Sequence, residues 1–138
     1  MSGPGQAWLV DASVALKWFL PASREPDGEL ARAAVGRLAM RTTVLAVHEV
    51  GNILIRHSGW TAARIGMALD LLVEICGDPI DLLAEDFLPT AQLAQLHELT
   101  FYDASYAAIA KRTRRTLLSA DGDLLSPRLA ISLQDAVA

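Results

Sequence analysis

Four acidic residues carry the chemistry this sequence offers: Asp11, Glu49, Asp103 and Asp121, with Asp123 two positions beyond the last. Asp11 closes the apolar run Ala7-Trp8-Leu9-Val10, and Asp121 follows the run Thr116 to Ser119. Glu49 and Asp103 stand at the expected openings of helices. Carboxylates held close together cannot all ionise without repulsion, so acids that converge imply a cation. The only histidine beside them is His48, expected to face away from Glu49 on its helix, and His57 and His97 have no partners at metal spacing. An all-oxygen donor set suits Mg²⁺ or Mn²⁺, not Zn²⁺. The natural substrate of such a site is a phosphate ester, hydrolysed by in-line attack of a metal-activated water, and one or two ions fit.

Each acid taken singly has a plainer role. Asp103 suits a helix N-cap, Asp121-Gly122 a turn, and Glu49 the first turn of a helix. Ser13 and Ser119 adjoin two of the acids and are candidates for holding a water or a phosphate oxygen, against an ordinary role in capping and strand-end hydrogen bonds. Gly122 permits a tight turn, after which Asp123 stands where a helix cap is expected. Asp121 is therefore the expected ligand and Asp123 an auxiliary.

Elements that bring such distant residues together must alternate in type. Ala7–Val10 reads as a buried strand, followed by a short helix from Ser13 to Leu20 that Pro21 stops. Pro26 and Asp27 open a second helix, with Leu30, Ala34, Val35 and Leu38 on one face. Thr42 to Ala46 is β-branched and apolar, hence a second strand. A helix from about Val47 carries Val50, Ile53 and Leu54, with Gly59 as its terminator. Thr61 caps the next, which runs to about Cys76. After the turn Gly77-Asp78-Pro79, Ile80 to Leu83 is a third strand. Asp86 caps one further helix and Asp103 begins another. Thr116 to Ser119 is a fourth strand, and Leu129 to Leu133 a fifth at the sheet edge. This alternation predicts a mostly parallel sheet of four to five strands flanked by helices in three layers. In such sheets the functional crevice lies beyond the carboxyl ends of the strands, which is where the acids fall.

The composition agrees with one folded domain over residues 1–138, with a flexible N-terminus over residues 1–6. Hydrophobic residues make up 52 % and charged residues 20 % of the 138, which excludes general disorder. The lone cysteine, Cys76, cannot form an intramolecular disulfide and lies in an apolar run as a small core residue. Arg64, Asp70 and Glu74 interrupt the longest apolar helix, so no membrane span is expected. The N-terminus lacks a basic n-region and a cytoplasmic location is expected. A net charge of −4 runs against nucleic-acid binding, but acids gathered around cations do not repel phosphate as free carboxylates do. Lys111, Arg112, Arg114 and Arg115 form a local basic cluster, readable also as a helix end with cations near its C-terminal dipole.

Four segments, in order, resemble a known family. Leu9-Val10-Asp11-Ala12-Ser13-Val14-Ala15-Leu16-Lys17-Trp18-Phe19 resembles the opening of a PIN-domain ribonuclease of the VapC toxin type. His48-Glu49-Val50-Gly51-Asn52-Ile53-Leu54, Thr100-Phe101-Tyr102-Asp103-Ala104-Ser105-Tyr106 and Leu118-Ser119-Ala120-Asp121-Gly122-Asp123-Leu124 are similar to its second, third and fourth motifs. Gly51 stands where the family often has alanine and Ser119 where it often has threonine; the tail after Pro127 matches poorly. The resemblance implies a PIN-like domain in which Asp11, Glu49, Asp103 and Asp121 bind Mg²⁺ or Mn²⁺ and cleave RNA endonucleolytically. It further implies a cognate VapB-type antitoxin as partner and a homodimer. Leu30, Val35, Leu54, Ile55, Trp60 and Met67 exceed the obvious needs of one core, and are expected to supply an antitoxin-binding face, a homodimer contact or ordinary core.

Other magnesium chemistry fits less well. A haloacid-dehalogenase-type phosphatase needs a second aspartate where Ser13 stands, and a receiver domain needs paired acids after its first strand. The alternative is a non-catalytic module of the same fold that binds RNA or protein, for which a full set of clustered carboxylates has no use.

Overall fold

The computed structural model describes residues 5–21 and 23–138; most of the expected N-terminal segment, residues 1–4, lies outside them. In chain order the elements are β1 (Ala7–Val10), α1 (Ala12–Ala15), a 3₁₀ turn (Leu16–Trp18), α2 (Gly28–Ala34), β2 (Ala39–Arg41), α3 (Val44–Leu54) and α4 (Ala62–Cys76). There follow α5 (Ala84–His97), α6 (Phe101–Arg112), β3 (Thr116–Leu118), α7 (Gly122–Leu125) and α8 (Leu133–Val137). The three strands are parallel in the order β2-β1-β3.

Alternation along the strands builds two cores. Trp8, Val10, Met40 and Leu118 face one way, into a layer with Val14, Leu54, Leu72 and Leu133. Leu9 and Leu117 face the other way, onto Ala46, Tyr106, Ile109 and Leu124. The period of two is what a strand buried on both faces requires. Cys76 is a buried free thiol in the first core. Among the described residues no helix is long and apolar enough to cross a membrane.

The differences from expectation lie at the sheet's margins. The second strand falls at Ala39–Arg41, not over Thr42 to Ala46. Thr42 spends its hydroxyl on the carbonyl of Val10 at 2.7 Å, and Thr43 caps α3 by accepting from the Ala46 amide at 3.1 Å. β-branched residues here serve hydrogen bonding, not strand pairing. The expected third and fifth strands each contract to a single parallel bridge, Thr43 with Ile80 and Leu118 with Ile131. Pro79 lacks an amide hydrogen on one side of Ile80, and Ser132 caps α8 immediately after Ile131, so neither segment can extend. The second helix ends at Ala34, leaving Val35 and Leu38 beyond it. The first helix begins at Ala12 and passes into the 3₁₀ turn before Pro21.

Asp86 is the third residue of α5, not its cap. It is buried, accepts from the Leu83 amide at 2.9 Å, and takes Arg112 Nε at 2.8 and 3.0 Å on its two oxygens. Arg112 also donates to the carbonyl of Asp81 at 2.9 Å. Removing Arg112 would leave the buried Asp86 carboxylate uncompensated, a loss of about 3 kcal/mol or more. This pair locks α5 to α6, and α6 carries Asp103.

Candidate metal centre

Asp11 leaves the sheet where β1 ends and caps α1, accepting from the Val14 amide at 3.2 Å. Two serines fix it further. Ser13 donates to Oδ1 and Ser119 to Oδ2, each at 2.5 Å. The same hydroxyls accept from the next strand end: Ala120 N–H to Ser13 at 2.9 Å, and Asp121 N–H to Ser119 at 2.9 Å. Both serines thus make the strand-end hydrogen bonds open to them in the sequence, and in addition orient the Asp11 carboxylate. Burial raises the Asp11 pKa to about 6, against the lowering effect of the serine and amide hydrogen bonds, and the Asp121 charge adds to the rise.

Asp103 is the third residue of α6, and the cap is Thr100, which accepts the Asp103 amide at 3.1 Å. The capping role open to Asp103 therefore belongs elsewhere, and its carboxylate is left for the rim. Burial, then Asp121, Glu49 and Asp123, hold its pKa above the ordinary value. One oxygen from each of Asp103, Asp121 and Asp123 lies within 4.8 Å of the others.

The expectation for Asp121 and Asp123 is corrected in one respect. Asp121, not Asp123, caps α7, accepting the Asp123 amide at 2.9 Å. The helix starts two residues earlier than the expected N-cap assignment required, so Asp123 is not needed as a cap and its carboxylate joins the trio.

Glu49 lies in the second turn of α3, because that helix begins at Val44, earlier than the sequence pattern implies. A first-turn dipole role is thereby removed. Its Oε1 accepts from the hydroxyl of Tyr106 at 2.5 Å. Tyr106 is buried, and desolvation with the Glu49 and Asp11 charges holds its phenol protonated far above the ordinary range. Sequence reasoning passed over Tyr106. The available signal was its position three residues after Asp103 on α6, where the two side chains share a face.

Five acids thus meet at the carboxyl end of the sheet: a close trio of Asp103, Asp121 and Asp123, with Asp11 and Glu49 fixed on its flanks. Among the described residues none of the five is in an ion pair with a basic side chain. His48 is exposed, and His57 is turned to the carbonyl of Ile53 at 2.9 Å. A donor set of oxygens, in which neighbouring carboxylates help raise the pKa of Asp11 and of Asp103 and no protein cation intervenes, fits a hard divalent ion.

A fold of this topology with acids converging on one rim defines a class, and a family model bears on it directly: the PIN domain matches residues 8–128. The chain belongs to the PIN-domain family. Within it the chain is of the VapC type, being 31 % identical over 120 residues to ribonuclease VapC3 of Pyrobaculum aerophilum, across 84 % of this chain and 90 % of that protein. The fold is shared with a toxin–antitoxin complex from Klebsiella pneumoniae (TM-score 0.71, 15 % identity, 91 % of this chain and 96 % of that one). It is shared too with Mycobacterium tuberculosis VapC20, a sarcin-ricin loop cleaving toxin (TM-score 0.70, 15 % identity, 87 % and 94 %).

Proposed function

We propose that the chain is a Mg²⁺- or Mn²⁺-dependent endoribonuclease acting as the toxin of a type II toxin–antitoxin module. The observation that carries this reading is the trio of Asp103, Asp121 and Asp123 oxygens within 4.8 Å of one another, with no protein cation among them. A bound ion would supply neutralisation of the phosphoryl oxygens and a lowered pKa for water. The protein's part is orientation. Ser13 and Ser119 hold both oxygens of Asp11, while Tyr106 holds one oxygen of Glu49 and leaves the other free. Rigidly positioned carboxylates require little rearrangement when an ion and a phosphate arrive. Burial raises the Asp11 pKa to about 6, so a bound ion would have to compete with a proton there. A silent RNA- or protein-binding module would gain nothing from such repulsion.

Kinship with a VapC ribonuclease and the shared fold of a toxin–antitoxin complex support a VapB-type antitoxin as partner. Of the apolar residues considered for its docking, Leu54 is core, and Leu30 and Trp60 are partly buried against it. Ile55 at the end of α3 and Met67 on α4 are 68 % and 70 % exposed, and Val35 after α2 is 39 % exposed. These three are the members of that surface available to a partner helix or to a second copy of the chain. The nuclease reading is tested by RNA cleavage with Mg²⁺ or Mn²⁺, in EDTA, and in Asp11→Asn. Undiminished cleavage in chelator by contaminant-free protein would remove the metal mechanism. Co-expression with a neighbouring small open reading frame should relieve growth arrest and co-purify a complex.

A further inference from the structure

The acids have a counterpart of opposite sign farther along α6. Asp103, Ala107, Ala110 and Lys111 stand at i, i+4, i+7 and i+8, so they share one stripe of the helix. At 1.5 Å per residue, Lys111 lies about 12 Å along the axis from Asp103. Ala107, Ala110 and Lys111 line one wall of a groove of about 440 Å³, and the opposite wall is β3 with the 128–131 segment. The small alanines keep the groove open next to the helix backbone. Lys111, Arg115 and Arg128 line it, and no acid does.

These three cations lack protein counterions. Among the described residues none of them forms an ion pair, whereas Arg112 is held by Asp86. The Arg115 Nε is buried with no hydrogen-bond partner, an expensive state for a charged donor. Burial and the nearby Arg41 also hold the Arg115 pKa below its ordinary value. Arg128 adopts a left-handed backbone, φ 62°, as does Arg114, φ 56°. Glycine or asparagine would occupy such positions with less strain. In a chain of net charge −4, three cations unpaired among the described residues and lining one groove without an acid imply an anionic occupant.

We propose that this groove binds the phosphodiester backbone of RNA to one side of the cleaved bond, with Lys111, Arg115 and Arg128 facing its phosphates. The proposal takes its substrate class from the nuclease reading, and the groove runs from the stripe that begins at Asp103. It makes one strand cross both the acid cluster and the cationic end of α6. An acidic segment of a protein partner is the competing occupant.

The test separates binding from hydrolysis. Affinity of a short fluorescein-labelled oligouridylate is measured by anisotropy in EDTA, over a range of salt. The triple variant Lys111→Gln/Arg115→Gln/Arg128→Gln should bind roughly tenfold more weakly, and its slope of log K against log salt should fall by about 2, near 0.7 per lost contact. The exposed cations of Arg24→Gln/Arg37→Gln/Arg56→Gln remove the same charge elsewhere and should leave affinity and slope at wild-type values. If the triple variant does not fold, Lys111→Gln alone, at an exposed position, should lose about 0.7 of slope. Unchanged affinity and slope in the folded variant overturn the proposal, as does equal weakening in the control. So does loss of a co-purified partner's binding with RNA affinity intact. Wild-type cleavage in Mg²⁺ is scored separately: RNA binding through the groove without cleavage removes the nuclease reading alone, while cleavage with normal RNA binding by the triple variant removes the groove alone.

Discussion

The hydroxyl of Tyr106 donates to Glu49 Oε1 at 2.5 Å, joining α6 to α3 across 57 positions of sequence beneath the acid cluster. Tyr106 itself is 2 % exposed. The phenol therefore fixes the rotamer of one proposed ligand while belonging to the core that positions another, Asp103. Tyr106→Phe keeps the ring's volume and removes only the bond. Stability should fall by about 1–2 kcal/mol, the worth of a hydrogen bond to a charged group. Cleavage should drop about tenfold as Glu49 loses its orientation. Thermal melting and initial rates on one RNA substrate check both; wild-type rates in the variant would show that Glu49 needs no such support.

Asp121 and Asp123 provide a sharper comparison. Because Asp121 caps α7 and Asp123 does not, asparagine at 121 retains the cap while asparagine at 123 costs no structure. Both variants should melt within about 0.5 kcal/mol of the wild type. Both should lose cleavage, by a hundredfold or so, since each removes one of the three clustered carboxylates. An active Asp123→Asn beside an inactive Asp121→Asn would reduce Asp123 to a bystander at the rim.

The course of these acids shows what the sequence makes legible. Asp11 and Asp121 end runs too apolar to be anything but buried strands, so their place on the rim follows from the alternation of strand and helix. Asp103 and Glu49 lie on the expected helices; Asp103 stays in the first turn, two residues in from the expected start, and Glu49 moves to the second turn, because Thr100 and Thr43 start those helices earlier. Ile80 and Ile131 look like strand residues because each does pair with a buried residue at or just past a strand end, Thr43 and Leu118 respectively, though over a single bridge and not a full ladder. Tyr106 and the Asp86–Arg112 pair had no local pattern to mark them. Their partners are 57 and 26 positions away, and only packing decides such contacts.

Gly51 is the one residue of the second motif that costs stability without visible return. It lies inside α3, and a methyl group there would meet only Leu69 Cδ1 at 3.6 Å, an ordinary contact. Gly51→Ala should stabilise the fold by about 1 kcal/mol through helix propensity, raising the melting temperature by a few degrees. Cleavage should be unaffected. Destabilisation would mean that the backbone of α3 must approach α4 more closely than it does here.

Asp11 contributes to the pH dependence of the metal-free protein, in the same direction as Asp103. The folded pKa of Asp11, about 6, lies above the ordinary aspartate value of 3.8, so the folded state holds this proton more tightly than the unfolded state. Below both values Asp11 is protonated in either state and costs nothing. As pH rises from about 4 through 6, the unfolded chain gives up the proton first, and stability is lost, by roughly 3 kcal/mol in full. Asp11→Asn has no such proton and keeps an oxygen for the Val14 amide, so it escapes the loss. In EDTA the variant should therefore be more stable than the wild type at pH 7.5, and the gap should close by pH 4. Saturating Mg²⁺ should narrow the gap at pH 7.5, because only the wild type gains fully from ion binding. Denaturant melts of both proteins at the two pH values decide it: a difference independent of pH would mean that the serine hydrogen bonds, not the buried charge, dominate at Asp11.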